Sequence, residues 1–259
     1  MSGFLGRIAQ RISAAILHYL DQRTGYYEPF SSPHPELLRQ ILRPGDVLLI
    51  EGNTRLSAII KYLTQSTWSH ATLYVGPQLG ADQPSGDPLV LIEANVERGV
   101  ALAPLSKYTK FNTRICRPTG LGEEERRRVL NFALANLGKQ YDSRHIVDLL
   151  RYLFPYPPVP VALRRRMLAI GSGDPTRAIC STLIAQAFYS VNYPILPALN
   201  GDHDESSYRT AAYVKREIFH IKKSGLFTPR DFDVSPYFDV VKPFIEIKFD
   251  YHTLIWEAD

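Results

Sequence analysis

The sequence predicts an α+β fold in which an antiparallel sheet packs against helices. Short apolar runs, rich in β-branched residues and bounded by turn-forming residues, occur at 47–50, 71–75 and 89–94. Longer segments with apolar residues at helical spacing follow at 122–137 and 179–188. Because 259 residues with 45% hydrophobic content can bury a sizeable core, we expect one large domain that carries additional segments.

The start of the chain predicts an amphipathic helix, with apolar residues at every fourth position and arginines on other faces. The recurring apolar residues are Phe4, Ile8, Ile12 and Ile16. Arg7 and Arg11 interrupt the apolar run, so we expect no secretion signal. The helix either packs on the protein or lies on an anionic membrane. We assign this helix and a linker rich in Pro and Ser to 1–40, and the main domain to 41–259.

Three strands are predicted in the first half of the main domain. Turn residues at 43–46 precede a short buried run at 47–50. A helix is expected at 54–64, and a second strand at 69–76. A polar loop separates this strand from a third one at 89–94.

Two polar residues fall at the ends of these strands. If 71–75 and 89–93 pair in antiparallel fashion, the start of one strand lies beside the end of the other. His70 and Glu93 would then meet at one edge of the sheet, where the carboxylate could orient the imidazole. Each residue also has an interpretation without a catalytic role. His70 could be a histidine at a strand end whose hydrogen bonds are satisfied, and Glu93 could be a solvated charge at a strand terminus.

The remaining segments predict one or two strands within 100–118, a helix over 122–137 and a Pro-rich and Arg-rich insertion at 143–178. Three consecutive arginines at 164–166 form either a solvated surface or a basic lip for phosphate or lipid. From 207 to 259 we expect a helix, a loop containing DFDVSP and a final pair of strands.

Cys180 begins a helix-like run that continues to Phe188. Unpaired amides and the helix dipole lower the pKa of a thiol at a helix N-terminus and can hold an oxyanion. A small buried hydrophobic residue is the alternative interpretation. Cys116, the other cysteine, lies in strand-like sequence and is expected to be structural. The absence of CxxC spacing gives no sign of a disulfide framework or a thiol zinc site, which fits a reducing compartment.

Charge and motif content narrow the function classes. The 30 Lys and Arg against 26 Asp and Glu give a net charge of +4, and no nucleic-acid-binding module is recognisable. The sequence has no H-E-x-x-H, Walker or G-x-G-x-x-G motif. We expect a cytoplasmic protein, with membrane association left open, and no metal or cofactor.

Five segments together resemble the permuted NlpC-type, papain-like thiol hydrolases of the YiiX/YebB-like group, with the lecithin:retinol acyltransferase family as more distant relatives. The segments are RPGDVLLIEG (43–52), SHATLYVG (69–76), LIEA (91–94), LGKQYD (137–142) and ICSTLIAQAF (179–188). In ordinary NlpC-type peptidases the last two types of segment come first. The resemblance therefore implies a circularly permuted papain-like fold.

The resemblance also implies roles for individual residues. Cys180 corresponds to the nucleophile, His70 to the general base and Glu93 to the group that orients it. Tyr141 matches a motif tyrosine that would line the substrate site, although a core tyrosine is an equal alternative. The implied chemistry is acyl transfer from an ester or amide through a thioacyl-enzyme, with the Cys180 amide as oxyanion donor.

The substrate is less constrained than the chemistry. A lipid-type or other acyl-containing small molecule is favoured by the basic N-terminal helix, the arginine run and the acyltransferase relatives. Its acyl group would be either hydrolysed or transferred to an acceptor. Peptidoglycan or peptide cleavage by an amidase or endopeptidase is the alternative, although cell-wall cleavage normally requires export. An alternative of another class is a non-catalytic binding module that keeps the papain-like cleft.

Overall fold

The computed structural model describes residues 18–25, 27, 29, 35–77, 87–95, 98–139, 179–197, 227–243, 250 and 252. The strands in this part are β1 Val47–Ile50, β2 His70–Tyr74, β3 Leu89–Asn95, β4 Gly99–Pro104, β5 Thr113–Pro118 and β6 Phe238–Val241. The α-helices are α1 Pro35–Ile41, α2 Arg55–Thr64, α3 Glu123–Leu134, α4 Ile179–Tyr189 and α5 Pro229–Asp233, and Leu105–Tyr108 forms a 3-10 helix.

The six strands form a single antiparallel sheet in the order β4-β3-β2-β1-β5-β6. Helices pack on it, which confirms the α+β class. β1 lies in the interior of the sheet and is buried along its whole length, and this explains why its sequence is a continuous apolar run without alternation. None of the helices in the described part of the chain is long and apolar enough to cross a membrane.

The core lies on both faces of the sheet, because side chains alternate along each strand. One face carries Leu49, Leu73 and Ile92 in a cluster with Leu183 and Phe188 of α4. The opposite face carries Leu48, Ile50, Tyr74, Leu91 and Ile115 in a cluster with Leu38 and Ile41 of α1. By this alternation, His70 and Glu93 belong to the face that holds α1 rather than α4.

An ion pair with a buried carboxylate fixes the turn that leads into β1. Asp46 is 1% exposed, and its carboxylate accepts hydrogen bonds from Arg117 Nε at 3.0 Å and Nη2 at 2.8 Å. The Arg43 amide also donates to Asp46 at 2.8 Å, while Arg117 Nη2 donates to the Ile41 carbonyl at 2.7 Å. The aspartate of the R-P-G-D segment therefore joins α1, β1 and β5.

The connection from β1 to α2 also depends on close backbone contacts. The Gly52 amide donates to Ser69 Oγ at 2.9 Å, and a Cβ at Gly52 would collide with the hydroxyls of Ser57 and Ser69. Thr54 caps α2 by accepting a hydrogen bond from the Ser57 amide at 3.2 Å. Glycine and two serines thus hold the chain beside the first residue of β2.

Several predictions of local structure need correction. The helix α1 begins at Pro35, within the stretch predicted as a linker, because proline is compatible with the first turn of a helix. Part of the predicted DFDVSP loop belongs to α5, and β6 was not predicted. The helix α3 ends at Leu134 rather than near 137. Residues 1–17, the insertion at 143–178 and most of the predicted final strand pair lie outside the described residues.

We predict that Asp46→Ala lowers the free energy of unfolding by about 3–5 kcal/mol, because it leaves the Arg117 guanidinium, whose side chain is 16% exposed, without its carboxylate. Urea unfolding measures this change. Glu124→Ala is the matched control: it removes a carboxylate that pairs with Arg127 on the exposed surface of α3, where solvent screens the charges. Equal effects of the two substitutions would contradict a structural role for Asp46.

Candidate active site

His70 is held at the end of an interior strand by the pairing of β1 with β2. It is the first residue of β2 and lies opposite Ile50, the last residue of β1. The amide of the preceding residue, Ser69, donates to the Ile50 carbonyl at 3.1 Å. The His70 side chain remains 23% exposed, so the imidazole is anchored by the strand yet accessible.

Glu93 reaches His70 because β2 and β3 pair in antiparallel register. Leu73 lies opposite Ile92, and Tyr74 lies opposite Leu91. Continued by one residue, this register puts Glu93 and His70 on one face and on a diagonal of the sheet. Glu93 Oε2 lies 3.3 Å from His70 Nε2, and its side chain is only 4% exposed. The contact expected from strand order is present.

Two further residues converge on this carboxylate. Lys107 Nζ contacts Glu93 Oε1, and the Tyr108 hydroxyl donates to Glu93 Oε2. The ring of Tyr108 also packs against the His70 ring, with centroids 5.9 Å apart. Both residues belong to the 3-10 helix that follows β4, and neither was predicted from the sequence to take part in the site.

The surroundings keep Glu93 ionised. Burial favours the neutral acid and raises the pKa of Glu93, but the hydrogen bond and charge of His70 and those of Lys107 outweigh it and lower the pKa well below its ordinary value. An ionised carboxylate accepts hydrogen bonds and donates none. In a neutral His70 ring the proton therefore resides on Nε2, and Nδ1 is left as the nitrogen able to accept one.

Cys180 is the second residue of α4, in its first turn. The helix packs against β2 and β3, the strands that carry His70 and Glu93. Its following residues, Ser181 and Thr182, are buried, so the start of the helix is anchored in the body of the protein. The backbone position agrees with the prediction of a thiol at a helix N-terminus. The Cys180 side chain and the whole of Tyr141 lie outside the described residues.

Cys116 has the environment of a structural cysteine. It lies in β5, opposite Val47 of β1, and is fully buried. Burial is the largest influence and strongly raises the pKa of its thiol, with a further contribution from the Asp233 carboxylate. The protonated thiol is a poor nucleophile, which agrees with the structural role expected for Cys116.

Within the described residues, no group of three or more His, Cys, Asp or Glu side chains is arranged to hold a metal ion. The carboxylate of Glu93 is instead surrounded by hydrogen-bond donors. The arrangement suits proton transfer by His70.

His70 and the buried Glu93 carboxylate thus lie on two strands against which α4, the helix that contains Cys180, packs. Residues 41–152 match the model of a family described as "Permuted papain-like amidase enzyme, YaeF/YiiX, C92 family". Over this segment the chain is therefore similar to permuted papain-like amidases of the YaeF/YiiX type. The matched segment contains His70 and Glu93, whereas Cys180 lies beyond it.

The comparison with solved structures finds the crystal structure of metalloprotein YiiX from Escherichia coli O157:H7. The two chains share 16% sequence identity, with 77% of this chain and 96% of that chain covered and a TM-score of 0.43. The comparison with curated protein sequences finds no match.

We predict that Glu93→Gln destabilises the protein by about 2 kcal/mol at neutral pH, because charge-assisted hydrogen bonds are lost. The folded state lowers the pKa of Glu93 from its ordinary 4.5. Its stabilisation is therefore fully present above that pH and is lost as the pH falls toward the lower pKa of the folded state. Urea unfolding between pH 7 and pH 3 should show the wild type and the variant converging in acid. A pH-independent difference would contradict the assignment of a buried ionised carboxylate.

Proposed function

We propose that the protein hydrolyses an amide or ester bond through a thioacyl-enzyme, with Cys180 as nucleophile, His70 as general base and Glu93 as the group that orients His70. The observation that carries the proposal is the contact between His70 Nε2 and the buried Glu93 carboxylate. Because this contact engages Nε2, the proposal assigns proton exchange with the nucleophile to Nδ1. The only other cysteine, Cys116, is buried in the sheet with a raised thiol pKa.

The proposed reaction begins with transfer of the Cys180 thiol proton to His70 Nδ1. The sulfur then attacks the substrate carbonyl carbon, and first-turn amides of α4 hold the oxyanion that forms. When the carbon–nitrogen or carbon–oxygen bond breaks, His70 gives its proton to the departing amine or alcohol. A water molecule, deprotonated by His70, finally attacks the thioester. This step releases the carboxylic acid and returns the proton to Cys180.

Glu93 contributes by electrostatics and by orientation. An imidazolium forms at His70 during each half of the reaction, and a carboxylate 3.3 Å away stabilises that charge. Because Glu93 is almost completely buried, water screens this interaction little. The same hydrogen bond selects the tautomer in which Nδ1 accepts the thiol proton.

For the substrate, we propose a lipid-type acyl compound, and the acceptor of the acyl group is either water or a second molecule. Support comes from the amphipathic, basic N-terminal segment and the arginines at 164–166. The end of that segment is docked on the protein: Leu20 is buried, and the Arg55 guanidinium lies 3.9 Å from the centre of the Tyr19 ring. Lipid contact through the segment would therefore involve residues before His18.

A peptide amide is the second candidate substrate. The family description, which names an amidase, favours it. The two candidates differ in whether activity requires a lipid chain, so matched amides with a long acyl chain and with a short peptide acyl group distinguish them.

We predict that an alkylating reagent labels Cys180 rapidly below pH 7 and Cys116 hardly at all, because Cys180 lies in the first turn of a helix, whereas Cys116 is buried and has a raised thiol pKa. Peptide mapping by mass spectrometry follows the two cysteines in one sample. His70→Ala should slow labelling of Cys180 and leave Cys116 unchanged. Slow labelling of Cys180 that is indifferent to the His70 substitution would rule out the proposed pair and favour a non-catalytic binding module.

The lipid proposal predicts co-sedimentation of the full chain with liposomes containing anionic phospholipid, weakened by salt because the attraction is electrostatic. Liposomes of neutral phospholipid are the control. Replacing both Arg7 and Arg11 with Gln should reduce binding. Failure of the intact chain to bind anionic liposomes at low salt would contradict membrane association and favour a soluble substrate.

A further inference from the structure

The proposed mechanism assigns no task to Lys107 and Tyr108, although they contact different oxygens of the Glu93 carboxylate. They are adjacent in the 3-10 helix and differ in exposure. The Tyr108 residue is 5% exposed, whereas the Lys107 side chain is 45% exposed.

We propose that Tyr108, assisted by Lys107, is a positioning residue that fixes the Glu93 carboxylate for its hydrogen bond with His70; the catalytic consequence rests on the function proposed above. Oε2 accepts from Tyr108 and lies 3.3 Å from His70 Nε2. Oε1 contacts Lys107. With donors on both oxygens, the carboxylate cannot rotate about its terminal bond without breaking a contact to a charged group.

The 3-10 helix is suited to this task because it is anchored on several sides. Leu105 is fully buried in the core, and Ser106 Oγ donates to the Asp87 carboxylate. The ring of Tyr108 packs between those of His70 and Phe111, with centroid distances of 5.9 and 6.3 Å. The Tyr108 hydroxyl therefore approaches Glu93 from a fixed direction.

The two donors should contribute unequally. Water can replace the ammonium of half-exposed Lys107 at Oε1, which limits the effect of losing it. Water has little access to the buried contact between Tyr108 and Oε2, so removing that hydroxyl leaves part of the carboxylate unsatisfied. We therefore expect Tyr108→Phe to disturb His70 more than Lys107→Met does.

Tyr108→Phe is tested against Tyr193→Phe. The Tyr193 hydroxyl contacts the Thr119 and Tyr237 carbonyls at 2.8 and 2.6 Å, and its ring packs on Phe238 of β6, at the sheet edge remote from β3. Both variants lose one hydroxyl and its hydrogen bonding, but only Tyr108→Phe should slow alkylation of Cys180, by about tenfold at neutral pH.

The second readout is nitrogen NMR of the His70 ring in the full chain, assigned by its disappearance in His70→Ala. At a pH where the ring is neutral, the wild type and Tyr193→Phe should show the Nε2–H tautomer. Tyr108→Phe should show a mixture, and Lys107→Met a smaller admixture. This readout needs no reactive thiol. A wild-type Cys180 that fails to react would therefore refute the proposed function, while the tautomer still decides the role of Tyr108.

The proposal is overturned if Tyr108→Phe keeps the wild-type tautomer and alkylation rate while losing only stability. If Tyr108→Phe does not fold, Lys107→Met carries the test, because its half-exposed side chain should be dispensable for folding. A wild-type tautomer in Lys107→Met would then overturn the claim that both oxygens must be held.

Discussion

The site depends on a single buried charge, the carboxylate of Glu93. A carboxylate with 4% side-chain exposure is stable only if hydrogen bonds and opposite charges replace the water it has lost. The Lys107 ammonium and the His70 imidazole, which is positive when protonated, both contact the carboxylate. The Tyr108 hydroxyl adds a neutral hydrogen-bond donor. The local folding requirement and the chemical requirement therefore coincide, since the donors that make the charge tolerable also hold the imidazole.

The sheet supplies the frame for this cluster. Antiparallel pairing of β2 with β3 brings His70 and Glu93, which are 23 residues apart in the chain, to the same end of the two strands. The ion pair of Asp46 and Arg117 ties the neighbouring β1 to β5. Strand neighbours and helix packing define the position of this cluster. The helix α4, which contains Cys180, comes after these strands in the chain and packs on β2 and β3.

Sequence reasoning predicted the features that depend on short stretches of chain. The strands at 47–50, 70–74 and 89–95 are marked by β-branched runs, and their order was enough to predict the contact between His70 and Glu93. The role of Lys107 and Tyr108 could not be predicted, because a four-residue 3-10 helix has no periodic sequence pattern. Its position beside Glu93 also depends on the antiparallel pairing of β4 with β3. β6 was missed because it is an edge strand of only four residues, and the two central residues are exposed to solvent, as in a loop. The catalytic roles assigned to Cys180, His70 and Glu93 remain proposals, as does that of Tyr141.

The central claim is that Cys180 forms an acyl-enzyme with the help of His70. Its most direct test is mass spectrometry of the full chain after brief exposure to an activated acyl ester, with the modified residue located by peptide mapping. The account predicts a hydroxylamine-sensitive thioester on Cys180 that is absent from Cys180→Ala, strongly reduced in His70→Ala, and not found on Cys116. An acyl group found only on lysines, or one on Cys180 that forms equally fast without His70, would contradict it.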